Sequence, residues 1–139
     1  MQLILTRYLE FDTCVGDVID ITEKVADAIH ESGLKCGIAV VFVPGATAAV
    51  TTIEHEPGLV EDIRAALEKI APEQNEYAHD QKWGDGNGHS HIRASLIGPS
   101  LTVPFQKGQL MLGTWQQIVF LELDNRPRTR RIIVQILGE

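Results

Sequence analysis

The stretch "IAVVFV", residues 38 to 43, is apolar at every position and lies between Gly37 and Pro44. A run this short, rich in β-branched residues and bounded by a glycine and a proline, reads as a buried strand. It is far too short to cross a bilayer. A chain built around such a strand needs layers of structure on both sides of it.

The neighbouring segments supply those layers. "QLILTRYLEF" alternates apolar and polar residues and reads as the first strand. In "VIDITEKVADAIHESG", Asp20 or Thr22 caps a helix whose apolar face is Val25, Ala28 and Ile29, and Gly33 ends it. "ATAAVTTIEHE" is another strand, closed by the turn "EPG". "LVEDIRAALEKIA" is the clearest helix, with Leu59, Ile63, Ala66, Leu67 and Ile70 on one stripe and Pro72 to stop it. Residues 72 to 88 form an irregular, ordered loop carrying Tyr77, Trp83 and clustered Gly, Asp and Asn. After it, "HSHIRASLIG", "SLTVPF", "QLMLGTWQQIVFLELD" and "RRIIVQILG" read as strands, joined by turns at "FQKGQL" and "DNRPRT". The pattern predicts one α+β domain over residues 1 to 139. Two main helices pack on a mostly antiparallel, curled sheet or sandwich of about seven strands.

A length of 139 residues with 44% hydrophobic content supports one core and argues against disorder. The formal charge of −7 disfavours a general nucleic-acid binder, which needs a basic surface. Cys14 and Cys36 are isolated thiols, read as two small half-buried side chains. With no secretory leader in "MQLILTRYLEF", they suggest a reducing cytoplasm.

The candidate chemistry centres on "WGDGNGHSHIRAS", residues 83 to 95. Were residues 89 to 97 a strand, His89, His91, Arg93 and Ser95 would project from one face. Two imidazoles at i and i+2 reach one metal ion, and His79 in "YAHD" is the nearest third donor. This predicts a divalent, zinc-like ion on His79, His89 and His91, or else two solvent-facing strand histidines. The loop "GDGNGH" offers close backbone approach at Gly86 and Gly88, with Asp85 and Asn87 as polar contacts, or is a plain turn. Glu54, at the end of an apolar run, is a candidate general base or a solvated strand end. Glu122 and Asp124 share a strand face, and the expectation is that they pair with Arg126, Arg128, Arg130 or Arg131 across a hairpin. Trp115 is expected in the core or at a subunit interface, and Gln116 is a candidate for orienting substrate.

Taken together, "YAHD", "GDGNGHSHIRASLIGPSLTVPF", "LMLGTWQQIVFLELDNRPRTRR" and the terminal "VQILGE" resemble the YjbQ-like family. The resemblance runs nearly end to end. It implies a compact α+β homotrimer with a metal-compatible histidine cluster near a subunit boundary. It also implies a weak, secondary ability to make thiamine phosphate. The positions that carry over are His79, Asn87, His89, His91, Glu54, Gly113, Trp115, Gln116 and Asp124. One departure stands out. Many relatives have "PHTTA" where this chain has "PGATA" at residues 44 to 48, so Gly45 and Ala46 replace a histidine and a hydroxyl. If that histidine takes part in chemistry in those relatives, this chain does something different or does not need it.

Three functions fit these readings. A thiamine-phosphate synthase would join an aminopyrimidine diphosphate to a thiazole phosphate, with Arg93 and the N–H groups of Gly86 and Gly88 helping to hold the diphosphate. A metal-dependent hydrolase of a small phosphorylated or acyl substrate would use Glu54 or Asp85 as base. A non-enzymatic trimer would bind a small anion or metabolite without turnover.

Overall fold

The computed structural model describes residues 1 to 139. It contains eight strands and four helices in the order β1 (Leu3–Thr13), β2 (Val18–Asp20), α1 (Thr22–Ser32), β3 (Cys36–Phe42), β4 (Ala48–Ile53), α2 (Pro57–Ile70), α3 (Ala78–Trp83), α4 (Gly88–Ile97), β5 (Ser100–Gln106), β6 (Gln109–Leu110), β7 (Gln117–Glu122) and β8 (Arg128–Gly138). The α+β class is as the sequence indicates. No helix is long and apolar enough to cross a membrane.

The strands form two antiparallel sheets. One has five strands in the order β1-β8-β3-β5-β6, and the other has three in the order β2-β7-β4. The main core lies between them and includes α1. Val25 and Ile29 of the helix meet Val41 of β3, Phe120 of β7, and Ile132, Val134 and Ile136 of β8. A second, smaller cluster covers the opposite face of the three-stranded sheet, where Leu67 of α2 and Ala94 of α4 meet Ala49, Val119 and Leu121. Strand β7 is therefore buried on both faces, which accounts for the unbroken apolar run in "QIVFLEL".

The helix ends follow local chemistry. Gly33 closes α1 in the left-handed region at φ 72°. The expected α1 cap is only half right: Asp20 Oδ1 accepts from Thr22 N at 2.9 Å, while Ile21 occupies the cap position without a side-chain bond. "EPG" opens α2 rather than closing a strand. Glu56 caps it by accepting from the N–H groups of Gly58 and Leu59, with Pro57 in the first turn.

Four further expectations are corrected. "QLMLGTWQQIVFLELD" is not one strand but β6, an irregular stretch over residues 111 to 116, and β7. Trp115 falls in that stretch and is 72% exposed, so it is not a core residue. Both cysteines are exposed and free rather than half-buried. Along α2, Leu67 is buried but Ile70 is 63% exposed, so the helix buries less of its stripe than the periodicity suggests.

Where the sheets meet sits a buried ion pair. Arg130 Nε donates to Glu122 Oε1 at 2.7 Å and Nη2 to Oε2 at 2.5 Å. Thr13 Oγ1 donates to Glu122 Oε1 at 2.6 Å, and Arg130 Nη2 also reaches Thr47 Oγ1 at 2.9 Å. Both charged residues are 5% exposed or less. Removing one partner strands the other's charge away from water. Arg130→Met is expected to cost about 3–5 kcal/mol, read as a lower urea midpoint at unchanged m-value.

Candidate functional site at the start of helix α4

The segment read as a strand bearing His89 and His91 is helix α4. Its buried positions are Gly88, His89, Ser90 and Ala94, a helical rather than a two-residue spacing. The alternation was misleading because the face turned to the core is made of small residues, Ser90 and Ala94, while Ile92 and Leu96 are 42% and 61% exposed. Residues two apart on a helix point nearly opposite ways, about 200° apart. His89 and His91 therefore cannot serve one ion from one face.

The helix begins where it does for steric and polar reasons. Gly88 leaves no room for a side chain, because a Cβ there would lie 2.5 Å from Tyr77 Cβ. Its N–H donates to Asp80 Oδ1 at 2.9 Å. That contact fastens the start of α4 to α3, and it also takes the Gly88 N–H out of the set of free donors expected for substrate.

The groups that do come together are His79, His91, Asp85 and Asn87. The rings of His79 and His91 lie with centroids 4.5 Å apart and tilted by 55°. His79 Nε2 is 3.0 Å from Asn87 Oδ1 and 3.8 Å from Asp85 Oδ2. Asn87 Nδ2 in turn donates to Asp124 Oδ1 at 3.5 Å. An amide whose nitrogen faces a carboxylate turns its oxygen toward the imidazole, so Nε2 carries the His79 proton. The lone pair of Nδ1 is then the basic one. Asn125 Nδ2 donates to Asp85 O at 3.0 Å and holds the loop, in which Gly86 takes a left-handed φ of 68°.

Asp124 anchors this arrangement. Burial alone would raise its pKa. The Asn125 N–H, Thr47, Arg128 and Asn87 outweigh that and hold the carboxyl below its ordinary value. Arg128 forms an ion pair with it, and Arg130 pairs with Glu122, so the expected carboxylate–arginine pairing is observed, but across the connection between the two sheets rather than across a hairpin, because β7 and β8 do not pair. Thr47 and Asn125 are the residues missed in the sequence. Asn125 adjoins Asp124 in "LDNRP", but nothing in the pattern links Thr47 to it.

The remaining candidates are elsewhere. His89 is 4% exposed and lines a separate, partly open cavity. Desolvation by burial, and then the charge of Arg93, lower its pKa and favour the neutral imidazole. Arg93 does not reach the His79 group. Its Nε donates to Ala71 O at 3.0 Å and its Nη2 to Glu68 at 2.7 Å, tying α4 to the end of α2. Glu54 lies beyond β4, exposed, with no side-chain hydrogen bond or ion pair. Gln116 accepts from Gly113 N and donates to Thr52 Oγ1, each at 3.0 Å, which pins the loop after β6. Gly45 and Ala46 line a shallow recess beside His91, so the departure from "PHTTA" falls next to the imidazole pair.

The expected metal triad does not fit, because His89 points away from the other two. No group of three His, Cys, Asp or Glu side chains is gathered closely enough to hold an ion.

Comparison with known proteins is decisive on kinship. Residues 8–139 match the profile of the family described as UPF0047 protein YjbQ-like. The chain belongs to this YjbQ-like family. A UPF0047 protein of Archaeoglobus fulgidus is 43% identical over 121 residues, covering 87% of this chain and 91% of the relative. YugU of Bacillus subtilis is 33% identical over 136 residues, covering 96% of this chain and all of the relative. The crystal structure of a YjbQ-like protein of unknown function from Sulfolobus solfataricus superposes with a TM-score of 0.89 at 34% identity, covering 99% and 100% of the two chains. A YjbQ-family protein from Clostridium acetobutylicum gives 0.86 at 40% identity, covering 94% and 98%. The curled antiparallel sheets are thus the YjbQ-like fold.

The depressed Asp124 pKa has a pH signature. Its contribution to stability is present above the unfolded-state value of 3.8 and is lost as pH falls through the lower folded-state value. Asp124→Asn is expected to lower stability at pH 7 and to lose less than the parent between pH 4 and pH 2. Urea titrations across that range check it.

Proposed function

We propose that this chain is a small enzyme acting on a phosphorylated metabolite at the His79–His91 group, with slow thiamine-phosphate formation as the reaction suggested by family resemblance. The observation that carries the reading is the relay from Asp124 through Asn87 to His79. It fixes one imidazole tautomer beside a second imidazole and a carboxylate. In thiamine-phosphate formation a thiazole nitrogen attacks the methylene carbon of the aminopyrimidine as the carbon–oxygen bond to diphosphate breaks. The demand is for positive charge at the departing diphosphate. His79 and His91 supply it when protonated. Arg93, engaged with Glu68 and Ala71, does not. So thin a supply of cations accords with a slow, secondary turnover.

Hydrolysis of a small phosphate or acyl ester at the same group is the second reading. It is favoured by access to water, since the side chains of His79 and Asp85 are 32% and 53% exposed. There His79 Nδ1 or Asp85 would accept the water's proton. A divalent, zinc-like ion bound here would polarise the phosphoryl or acyl oxygen, with His79 and His91 as its donors, and Asp85 would then be the base.

Production of thiamine phosphate from the two precursors, and release of nitrophenol from p-nitrophenyl phosphate and acetate, separate the readings. His79→Ala is expected to lower whichever rate is observed by about 10²–10⁴, and Asn87→Ala by a smaller factor. A parent protein active in neither assay excludes both readings. Elemental analysis should find any bound metal lost in His79→Ala/His91→Ala and retained in His89→Ala. Retention in the first variant excludes this ligand assignment.

We also propose self-association, as a homotrimer, through the outer face of the five-stranded sheet. The register aligns Ile4, Leu137 and Ile38 in one row and Tyr8, Ile133 and Phe42 in another. Ile4, Tyr8, Ile38 and Phe42 are 65%, 52%, 39% and 37% exposed. Between these rows Thr6 Oγ1 donates to Gln135 Oε1 at 2.7 Å, so the face carries two exposed apolar rows around one polar pair, and exposed apolar surface of this kind marks an interaction surface. Ile38→Glu/Phe42→Glu is expected to convert a sedimenting trimer to monomer, and an unchanged sedimentation coefficient would rule this face out.

A further inference from the structure

On the side of α4 away from the imidazole pair lies a partly open cavity of about 110 Å³, lined by α2, α4 and the segments flanking β2 and β7. Its floor is apolar, formed by Ile63, Leu67 and Leu121. His89 lines it, and the buried Nδ1 of that ring has no hydrogen-bond partner. A buried polar atom left unpaired loses its hydration with nothing in exchange, so the atom marks the place of a missing partner. Neither His79 nor His91 lines this space.

The ring's other nitrogen indicates what that partner is. Ser90 Oγ lies 3.5 Å from His89 Nε2 and is its sole hydrogen-bond partner. Ser90 is fully buried and this is the one bond its hydroxyl makes, so the hydroxyl donates to Nε2 and Nδ1 carries the ring proton. The cavity therefore calls for an acceptor.

The charges around it narrow the class. Glu122 and Asp124 border the space but are neutralised by Arg130 and Arg128. What remains is two guanidiniums and two carboxylates. Arg64 donates from Nε and Nη2 to Gly16 O, and Arg93 from Nε and Nη2 to Ala71 O and Glu68, which leaves further N–H donors on each. Asp17 accepts from Cys14 N with one oxygen, and the Glu73 carboxylate has no partner. A simple anion would meet the two carboxylates and a simple cation the two guanidiniums. A ligand carrying both charges meets neither penalty. The size sets the last bound. One water needs about 10–15 Å³ on this measure, while drug-sized ligands need about 300 Å³ or more.

We propose that this cavity binds a small aliphatic amino acid as its zwitterion. The carboxylate accepts from His89 Nδ1 and from Arg64 or Arg93, the ammonium faces Asp17 and Glu73, and the side chain rests on Ile63, Leu67 and Leu121. This site is independent of the His79–His91 reading and stands or falls without it.

Titration calorimetry and saturation-transfer NMR on the full chain, with L-alanine and L-valine as probes, test it. Isovalerate and isobutylamine for valine, and propionate and ethylamine for alanine, serve as the half-molecules lacking the ammonium and the carboxylate. At least one amino acid is expected to bind saturably, with the corresponding half-molecules at least tenfold weaker. His89→Leu should weaken that binding at least tenfold at unchanged circular dichroism, and His79→Ala should leave it intact. Ile63→Trp, which fills the cavity from a half-buried position, is expected to abolish binding and serves if His89→Leu fails to fold. Absence of binding by both amino acids overturns the proposal. So does equal binding of the half-molecules, or unaltered affinity in the folded variants.

Discussion

The Glu122–Arg130 pair is the interaction on which most of the architecture converges. Glu122 ends β7 in the smaller sheet and Arg130 lies in β8 of the larger, so their bidentate contact joins the two layers directly. Thr13 brings in the end of β1, and Thr47 the approach to β4. A buried pair of this kind contributes little net stability compared with apolar residues of the same shape, yet it tolerates no half-measures. Its value lies in register. Shifting β7 by one residue would turn Glu122 into the apolar cluster on the opposite face and leave Arg130 without a partner.

The same turn that closes this pair organises the polar site. Two residues past Glu122, Asp124 collects Thr47, Arg128, Asn87 and the Asn125 N–H. Asn87 thus references the loop before α4 to the sheet seam through the Asp124 carboxylate, while the next residue, Gly88, ties the start of the helix to Asp80. His79 inherits its orientation from the sandwich core rather than from its own short helix. Rigid support of this sort is what a reactive imidazole needs if its basic nitrogen is to stay in one place.

Most of the fold was legible because its signals are local. The alternation of β1, the β-branched runs of β3 and β8, and the stripes of α1 and α2 each carry their period in their own residues. The pairing of Asp124 and Glu122 with arginines was also readable, since a tight turn at "DNRP" brings opposite charges together. Helix α4 was not. Its inward face is small and its outward face carries Ile92 and Leu96, so a two-residue alternation fitted as well as a helical one. Only the contact of Gly88 with Tyr77 and Asp80, neither close in sequence, decides between them. That single change of period separated His89 from His91 and divided one expected site into two. Arg93 and Gln116 show the same limit. Their types suit ligand binding, but their partners are backbone and side-chain groups that no spacing reveals.

Both tryptophans sit outside the core. Trp83 ends α3, one turn beyond His79, and is 63% exposed, while Trp115 lies in the loop after β6 and is 72% exposed. Their emission in the folded chain therefore starts out close to that of indole in water, and global unfolding has little room to shift it. Trp83, with Lys82 over its ring, instead samples the segment that carries the imidazole pair. Trp115 samples the loop pinned by Gln116. Intrinsic fluorescence from this protein is a local optical gauge of two surface loops, and its changes register what settles on them rather than whether the chain is folded.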